Sequence, residues 1–189
     1  VKFGIEICED VWAPIPPSNN LAVAGADIIF NLSASNEVLG KHAYLKSLLA
    51  QQSARTICGY VYASCGFGES TQDAVYGGNA LIFENGHQLV EGSRFSFQPQ
   101  IQNCQVDVEK LRVERRQNTT FINAQRGAHA TEIICKPVVP RDFELQREIN
   151  PHPFIPKAED MQSTCEEILN IQVAGLAKRL YHINANKAV

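Results

Sequence analysis

Val1 to Pro17 reads VKFGIEICEDVWAPIPP. Val1, Phe3, Ile5 and Ile7 alternate with Lys2, Gly4 and Glu6, the period-two pattern of a strand. The pattern stops at Cys8. Two acids follow, Glu9 and Asp10, then Trp12, then a proline-rich turn made by Pro14, Pro16 and Pro17. A thiol at a strand end, beside charges and a rigid loop, is where α/β enzymes place nucleophiles.

Working outward, Ser18 reads as the N-cap of a short helix through Ala24, closed by Gly25. Asp27 to Leu32 (DIIFNL) is a continuous apolar run, expected of a strand covered on both faces. Ser33 to Gly40 is a polar loop. Lys41 to Ile57 reads as a helix, with Tyr44, Leu48 and Leu49 on one side and Lys46, Gln51 and Arg55 elsewhere. Tyr60 to Ser64 (YVYAS) is a third strand. The order strand, helix, strand, helix, strand predicts parallel strands joined by right-handed crossovers, with their C-terminal ends gathered on one edge where ligands sit. Cys8, Ser33 to Ser35 and Ser64 to Gly66 all fall at such ends.

The next stretch changes character. Cys65 to Gly78 is glycine-rich, and Asn85-Gly86 between two short apolar segments is a strong hairpin signal. Ile101 to Val108 alternates as a strand. Val108 to Asn118 reads as a charged helix whose Arg112, Arg115 and Arg116 form a solvated face. Pro137 to Pro156 carries five prolines and reads as a linker. Ala158 to His182 is a long amphipathic helix with Ile168, Ile171, Leu176 and Leu180 among its apolar positions. Both ends of the chain read as cut, and the whole as a piece of something larger.

The composition, 189 residues with 44% hydrophobic and 20% charged, argues for a folded chain and against disorder. A net charge of −3 makes no electrostatic case for nucleic acid or an anionic membrane. No apolar run reaches the roughly 18 residues that a membrane span needs. Cys8, Cys58, Cys65, Cys104, Cys135 and Cys165 include no C-x-x-C pair, so a zinc site is not indicated. They read as reduced thiols, most of them buried, in a cytoplasmic protein.

Each candidate site residue has a plain structural reading beside the functional one. Cys8 is either a buried thiol or a nucleophile, and a nucleophile needs a cation or base nearby because adjacent carboxylates oppose the thiolate. His42 and Lys41 open the helix on the same edge, so a Cys8–His42 pair is one option and polar helix-start residues the other. Glu9 and Asp10 either accept backbone N–H bonds in a turn or, for Glu9, bind a substrate ammonium. Ser33 and Ser35 either cap the loop or hold a polar substrate end. Gly66, Gly68 and Glu69 to Thr71 form either a plain loop or a weak anion-binding nest.

The stretches CEDVWAPIPPS, GADIIFNLSASNEVLGK, YVYASCGFGESTQDAVYGGNALIFENG and EEILNIQVAGLAKRL, in this order, resemble the nitrilase superfamily. They resemble most closely the glutaminase domain of the glutamine-dependent NAD synthetase family, with the last stretch similar to the helix that introduces its synthetase domain. The resemblance implies an α/β fold, the second half of a nitrilase-type α-β-β-α sandwich, followed by a linker and one long helix. Residues 1–136 correspond to the C-terminal portion of the glutaminase domain, 137–157 to the linker, and 158–189 to the start of the synthetase domain without its ATP-binding loop.

Cys8 is then the nucleophile that forms a glutamyl thioester and releases ammonia. Its activating Lys and Glu are expected upstream of this chain. Glu9, Trp12, Ser35 and Lys41 match positions that line the glutamine pocket. Lys41 stands where some members have Arg, which replaces a planar fork by a point charge. Glutamine and deamido-NAD are the implied substrates, and a homo-oligomer the implied assembly. No metal or cofactor is expected in this portion, and ATP and magnesium belong to the missing synthetase part. Nucleic acid and membrane are not implied as partners. The alternatives are a portion of another nitrilase-superfamily amidase, against which the terminal helix argues, or an inert scaffold or assembly fragment. The portion by itself is expected to lack glutaminase activity.

Overall fold

The structure, a computed structural model, describes residues 1–69, 74–136, 142 and 144–185. It falls into two compact units, Val1–Arg147 and Glu148–Val189.

The first unit is built on a five-stranded sheet in the order β1-β2-β3-β4-β5. The strands are β1 (Phe3–Ile7), β2 (Ile28–Ser33), β3 (Gly59–Ser64), β4 (Ala80–Glu84) and β5 (His87–Glu91). β1, β2 and β3 run parallel, as the strand–helix alternation predicts, with Ile7 opposite Leu32 and Leu32 opposite Ala63. β4 and β5 add antiparallel partners. The Asn85-Gly86 turn has both residues at positive φ, 45° and 88°, the geometry of a two-residue hairpin loop.

Helices α1 (Pro17–Val23) and α2 (Lys41–Thr56) pack on one face of this sheet. Gly4 makes the approach of α1 possible, because a Cβ there would stand 2.9 Å from Leu21 Cδ1. The core between the layers contains Val11, Ile29, Leu45, Leu49, Tyr60, Tyr62, Leu81 and Phe83. Tyr44 is exposed, so the buried stripe of α2 is set by Leu45 and Leu49. The apolar residues of β1 face the other way. Gly4 and Glu6 point into the helix-covered core, while Phe3, Ile5, Ile7 and Leu32 stand more than half exposed on the opposite face. β2 is therefore covered on one face rather than two.

Ser18 does not cap α1. Pro16 occupies the cap position, and buried Ser18 donates its backbone N–H to Glu6 Oε2 at 2.7 Å. Pro17 at the first helical position needs no N–H partner, and the helix starts two residues earlier than the sequence reading has it. Residues 101–106 form no strand. They run past the sheet to α3 (Val108–Gln117), capped by Asp107, whose side chain accepts from Lys110 N at 2.9 Å. α4 (Thr119–Ala124), which lacks a clear sequence signal, is capped likewise by Asn118 on Phe121 N.

Arg112 and Arg115 are not a solvated face. Arg112 forks onto buried Asp27, Nε to Oδ1 at 3.0 Å and Nη2 to Oδ2 at 2.8 Å. Arg115 is buried, stacks over Phe121, and donates to the carbonyls of Ile57, Ala26 and Thr56. Only Arg116 is exposed in the expected way.

Part of the 137–157 segment lies outside the described residues. Its Arg147 ends the first unit with two bonds to buried Glu84, at 2.6 and 2.7 Å. The second unit contains α5 (Met161–His182), whose Ile168, Leu169, Ile171 and Leu176 are exposed. Among the described residues no helix is long and apolar enough to cross a membrane. All six cysteines are free, but only Cys58 is buried. Most sit in loops or at element ends, where a thiol has nothing to pack beneath.

Candidate active site

Cys8 follows β1 directly and opens a short 3-10 turn, Cys8–Trp12. Its φ is +48°, a left-handed conformation that costs a non-glycine residue on the order of 1–2 kcal/mol. The surroundings hold it there. Asp10 reaches back to accept Ile7 N at 2.7 Å, closing the turn. Buried Asn31, opposite Glu6 on β2, donates from Nδ2 to the Cys8 carbonyl at 3.4 Å, and Ser33 Oγ donates to Asn31 Oδ1 at 2.8 Å. Strand-end strain of this kind lifts a side chain out of the ladder, and the thiol is half-buried at the sheet's edge.

The other strand ends meet it. Ser35 N donates to Ser64 Oγ at 3.4 Å, and Cys65 N donates to the Ser33 carbonyl at 3.0 Å. Lys41, at the start of α2, turns back over this edge. Its Nζ donates to Ser35 Oγ at 2.8 Å, to the Asn36 carbonyl at 2.9 Å and to Asn36 Oδ1 at 3.4 Å. The same ammonium lies 5.5 Å from the Trp12 ring, which stacks on Tyr44. Trp12, Ser35 and Lys41 are thus one cluster. An ammonium braced by hydroxyl and carbonyl oxygens, over an aromatic wall, suits a substrate carboxylate.

Glu9 stands exposed on the 3-10 turn and makes no hydrogen bond among the described residues. His42 is held elsewhere: its Nδ1 meets Asn79 Oδ1 at 2.8 Å and its Nε2 meets Glu91 Oε1 at 2.9 Å. Both ring nitrogens are engaged away from Cys8, so the Cys8–His42 pair is not formed. Within the glycine-rich loop, Ser70 and Thr71 lie outside the described residues.

Three residues on the core side carry no sequence signal of a site. Tyr62 is fully buried on β3, opposite Asn31, and its hydroxyl has no hydrogen-bond partner among the described residues. Burial pushes its phenol up, and the nearby Cys8 adds to that. Glu6 accepts Ser18 N and the Tyr60 hydroxyl, and burial together with that bond raises Tyr60. Asn31 is the third. Only their alternation within the strands places them on the Cys8 side of the core.

No family model matches the chain. In an alignment of 195 positions that covers 98% of the chain, it is 37% identical to the "Glutamine-dependent NAD(+) synthetase" of Mycobacterium leprae. To that of Mycobacterium bovis it is 38% identical in an alignment of 193 positions, again covering 98% of the chain. The chain is homologous to glutamine-dependent NAD(+) synthetases. It spans 28% of the length of these synthetases. The fold is of the nitrilase type: a carbon-nitrogen hydrolase from Helicobacter pylori superposes with a TM-score of 0.54 at 17% identity, covering 65% of this chain and 45% of that one. Relative to these synthetases, the alignment takes in the Cys8 turn, the Lys41 cluster and α5 together.

Proposed function

We propose that the chain is part of a glutamine-hydrolysing NAD(+) synthetase and that Cys8 is its glutaminase nucleophile. The identity that runs through 98% of the chain carries this reading. The strained, half-buried Cys8 at the end of β1 supports it. In the proposed reaction the Cys8 sulfur attacks the side-chain carbonyl carbon of glutamine. The C–N bond breaks and the NH2 group leaves as ammonia, carrying the proton given up by the thiol. Water then attacks the thioester, releasing glutamate and restoring the thiol. Lys41 receives the substrate carboxylate, Trp12 and Ser35 shape the pocket, and Glu9 faces the substrate ammonium. The activating Lys and Glu are supplied by upstream sequence.

The ammonia serves a synthetase part that uses ATP and magnesium to amidate deamido-NAD in the cytoplasm, within a homo-oligomer. Cys8→Ala in the whole enzyme is the test. Glutamine-dependent NAD formation falls to background while ammonia-dependent formation persists. Retention of glutamine-dependent synthesis overturns the reading.

A further inference from the structure

Beneath the Lys41 cluster runs a continuous side-chain chain that the reaction above does not use. Arg94 Nη2 donates to Glu37 Oε2 at 2.7 Å. Glu37 Oε1 accepts from Asn79 Nδ2 at 2.6 Å. Asn79 Oδ1 meets His42 Nδ1, His42 Nε2 meets Glu91, and Glu91 also binds Lys46. The chain thus joins the loop after β2, the residue preceding β4, the end of β5 and the first turns of α2. Gly77 is part of it, because a Cβ there would stand 2.1 Å from Glu37 Oε1.

The polarity of the chain is determined at its two carboxylates. Glu37 can only accept, so the Asn79 amide nitrogen faces it and the Asn79 oxygen faces His42. Glu91 can only accept as well, so the His42 Nε2 that faces it donates. Lys46 and His42 hold the Glu91 carboxyl down at about 2, keeping it an acceptor. Glu37 and His42 flank the cluster in sequence. Glu37 follows Asn36, whose two oxygens bind Lys41, and His42 follows Lys41 itself. With Ser35, Lys41 and Tyr62 they line a cavity of about 10 Å³, room for a single water.

We infer that Glu37, Asn79 and His42 are positioning residues that hold Lys41 and the Ser35–Asn36 backbone at the spacing a bound glutamine carboxylate requires. They touch no substrate. They remove the freedom of a flexible lysine, whose point charge lacks the built-in direction of a guanidinium. The network therefore makes the lysine specific where an arginine fork would need less support.

This inference rests on the proposed glutaminase reading, and the experiment separates the two. In the whole enzyme, Asn79→Asp puts a second carboxylate against Glu37 and breaks the chain. Adding Glu37→Gln restores its polarity, since the new amide donates to Asp and still accepts from Arg94. Loss of a charge-assisted bond predicts that Asn79→Asp raises KM for glutamine about tenfold or more. The double variant returns KM to within about threefold, and ammonia-dependent synthesis and the melting temperature report the intact fold. An unchanged KM in Asn79→Asp, or a double variant no better than the single one, overturns the inference. Should Asn79→Asp lower the melting temperature, His42→Ala decides, and an unchanged KM there overturns it too. Loss of glutamine-dependent synthesis in Cys8→Ala, measured alongside, shows whether the underlying reading holds.

Discussion

Arg115 shows how much a single residue can settle. Its guanidinium, buried beneath α3, serves the carbonyls of Ile57, Ala26 and Thr56 at 2.9, 2.8 and 3.1 Å. Burial lowers its proton affinity, yet it remains far inside the charged range of an arginine. Replacing it by methionine keeps the stem and leaves these oxygens unpaired. The expected cost is about 3 kcal/mol, seen as a lower urea midpoint. In sequence the residue is one of three arginines in a charged run. Its acceptors lie 58 to 89 positions away, so no local pattern could separate it from solvated Arg116. Cys8 is the opposite case. The break in alternation after Ile7 makes it conspicuous, and only its φ of +48° awaits the backbone.

Among the elements, the β4–β5 hairpin is the most legible, since Asn-Gly alone supports two consecutive positive φ values at low cost. Gly86 also presses against α2, where an added Cβ would meet Ala54 Cβ at 3.0 Å. Gly86→Val therefore combines backbone strain with a clash, and a loss of roughly 2 kcal/mol should appear as a lower melting temperature in calorimetry. The 101–106 segment is the least legible. It alternates like a strand, but its groups bond through side chains and not a ladder: Gln105 accepts from Gln146 N and Arg147 N at 2.9 and 3.0 Å. Alternation reports which residues face a packed surface, and an extended segment crossing a sheet obeys it without joining the sheet.

For the first unit as a whole, acid stability follows from a few ion-paired carboxylates. Burial would raise Asp27 and Glu84, but the forked bonds from Arg112 and Arg147 outweigh it and hold both below the usual carboxylate range. Glu91 is held at about 2. A depressed native value means the unfolded chain binds protons first, so this stabilisation is complete above the unfolded carboxylate values and is lost as pH falls towards 2. Circular dichroism in an acid titration should show a transition in that window, and Asp27→Asn should flatten its slope while lowering stability at neutral pH. The open sheet face makes a second prediction at this scale. Phe3, Ile5, Ile7 and Leu32 form an apolar surface on one side of the sheet. The 189-residue chain by itself should self-associate, giving a light-scattering mass above its 20.9 kDa. Phe3→Ser with Ile5→Lys should shift it towards the monomer, and a monodisperse wild-type monomer would contradict the prediction.

By itself the sequence determined the alternation of strands and helices, the parallel order of β1 to β3, the hairpin, the thiol at the strand end and the kinship with glutamine-dependent NAD(+) synthetases. These depend on local periodicity, turn chemistry and identity, which are written along the chain. Tertiary structure alone decided that β1 turns Glu6 inward and its apolar residues outward, that Arg112 and Arg115 are internal clamps, and that His42 serves Asn79 and Glu91 instead of Cys8. Each is a choice between faces or partners far apart in sequence. Such a choice depends on which layer covers which side, and a period of two or of 3.6 residues leaves that open.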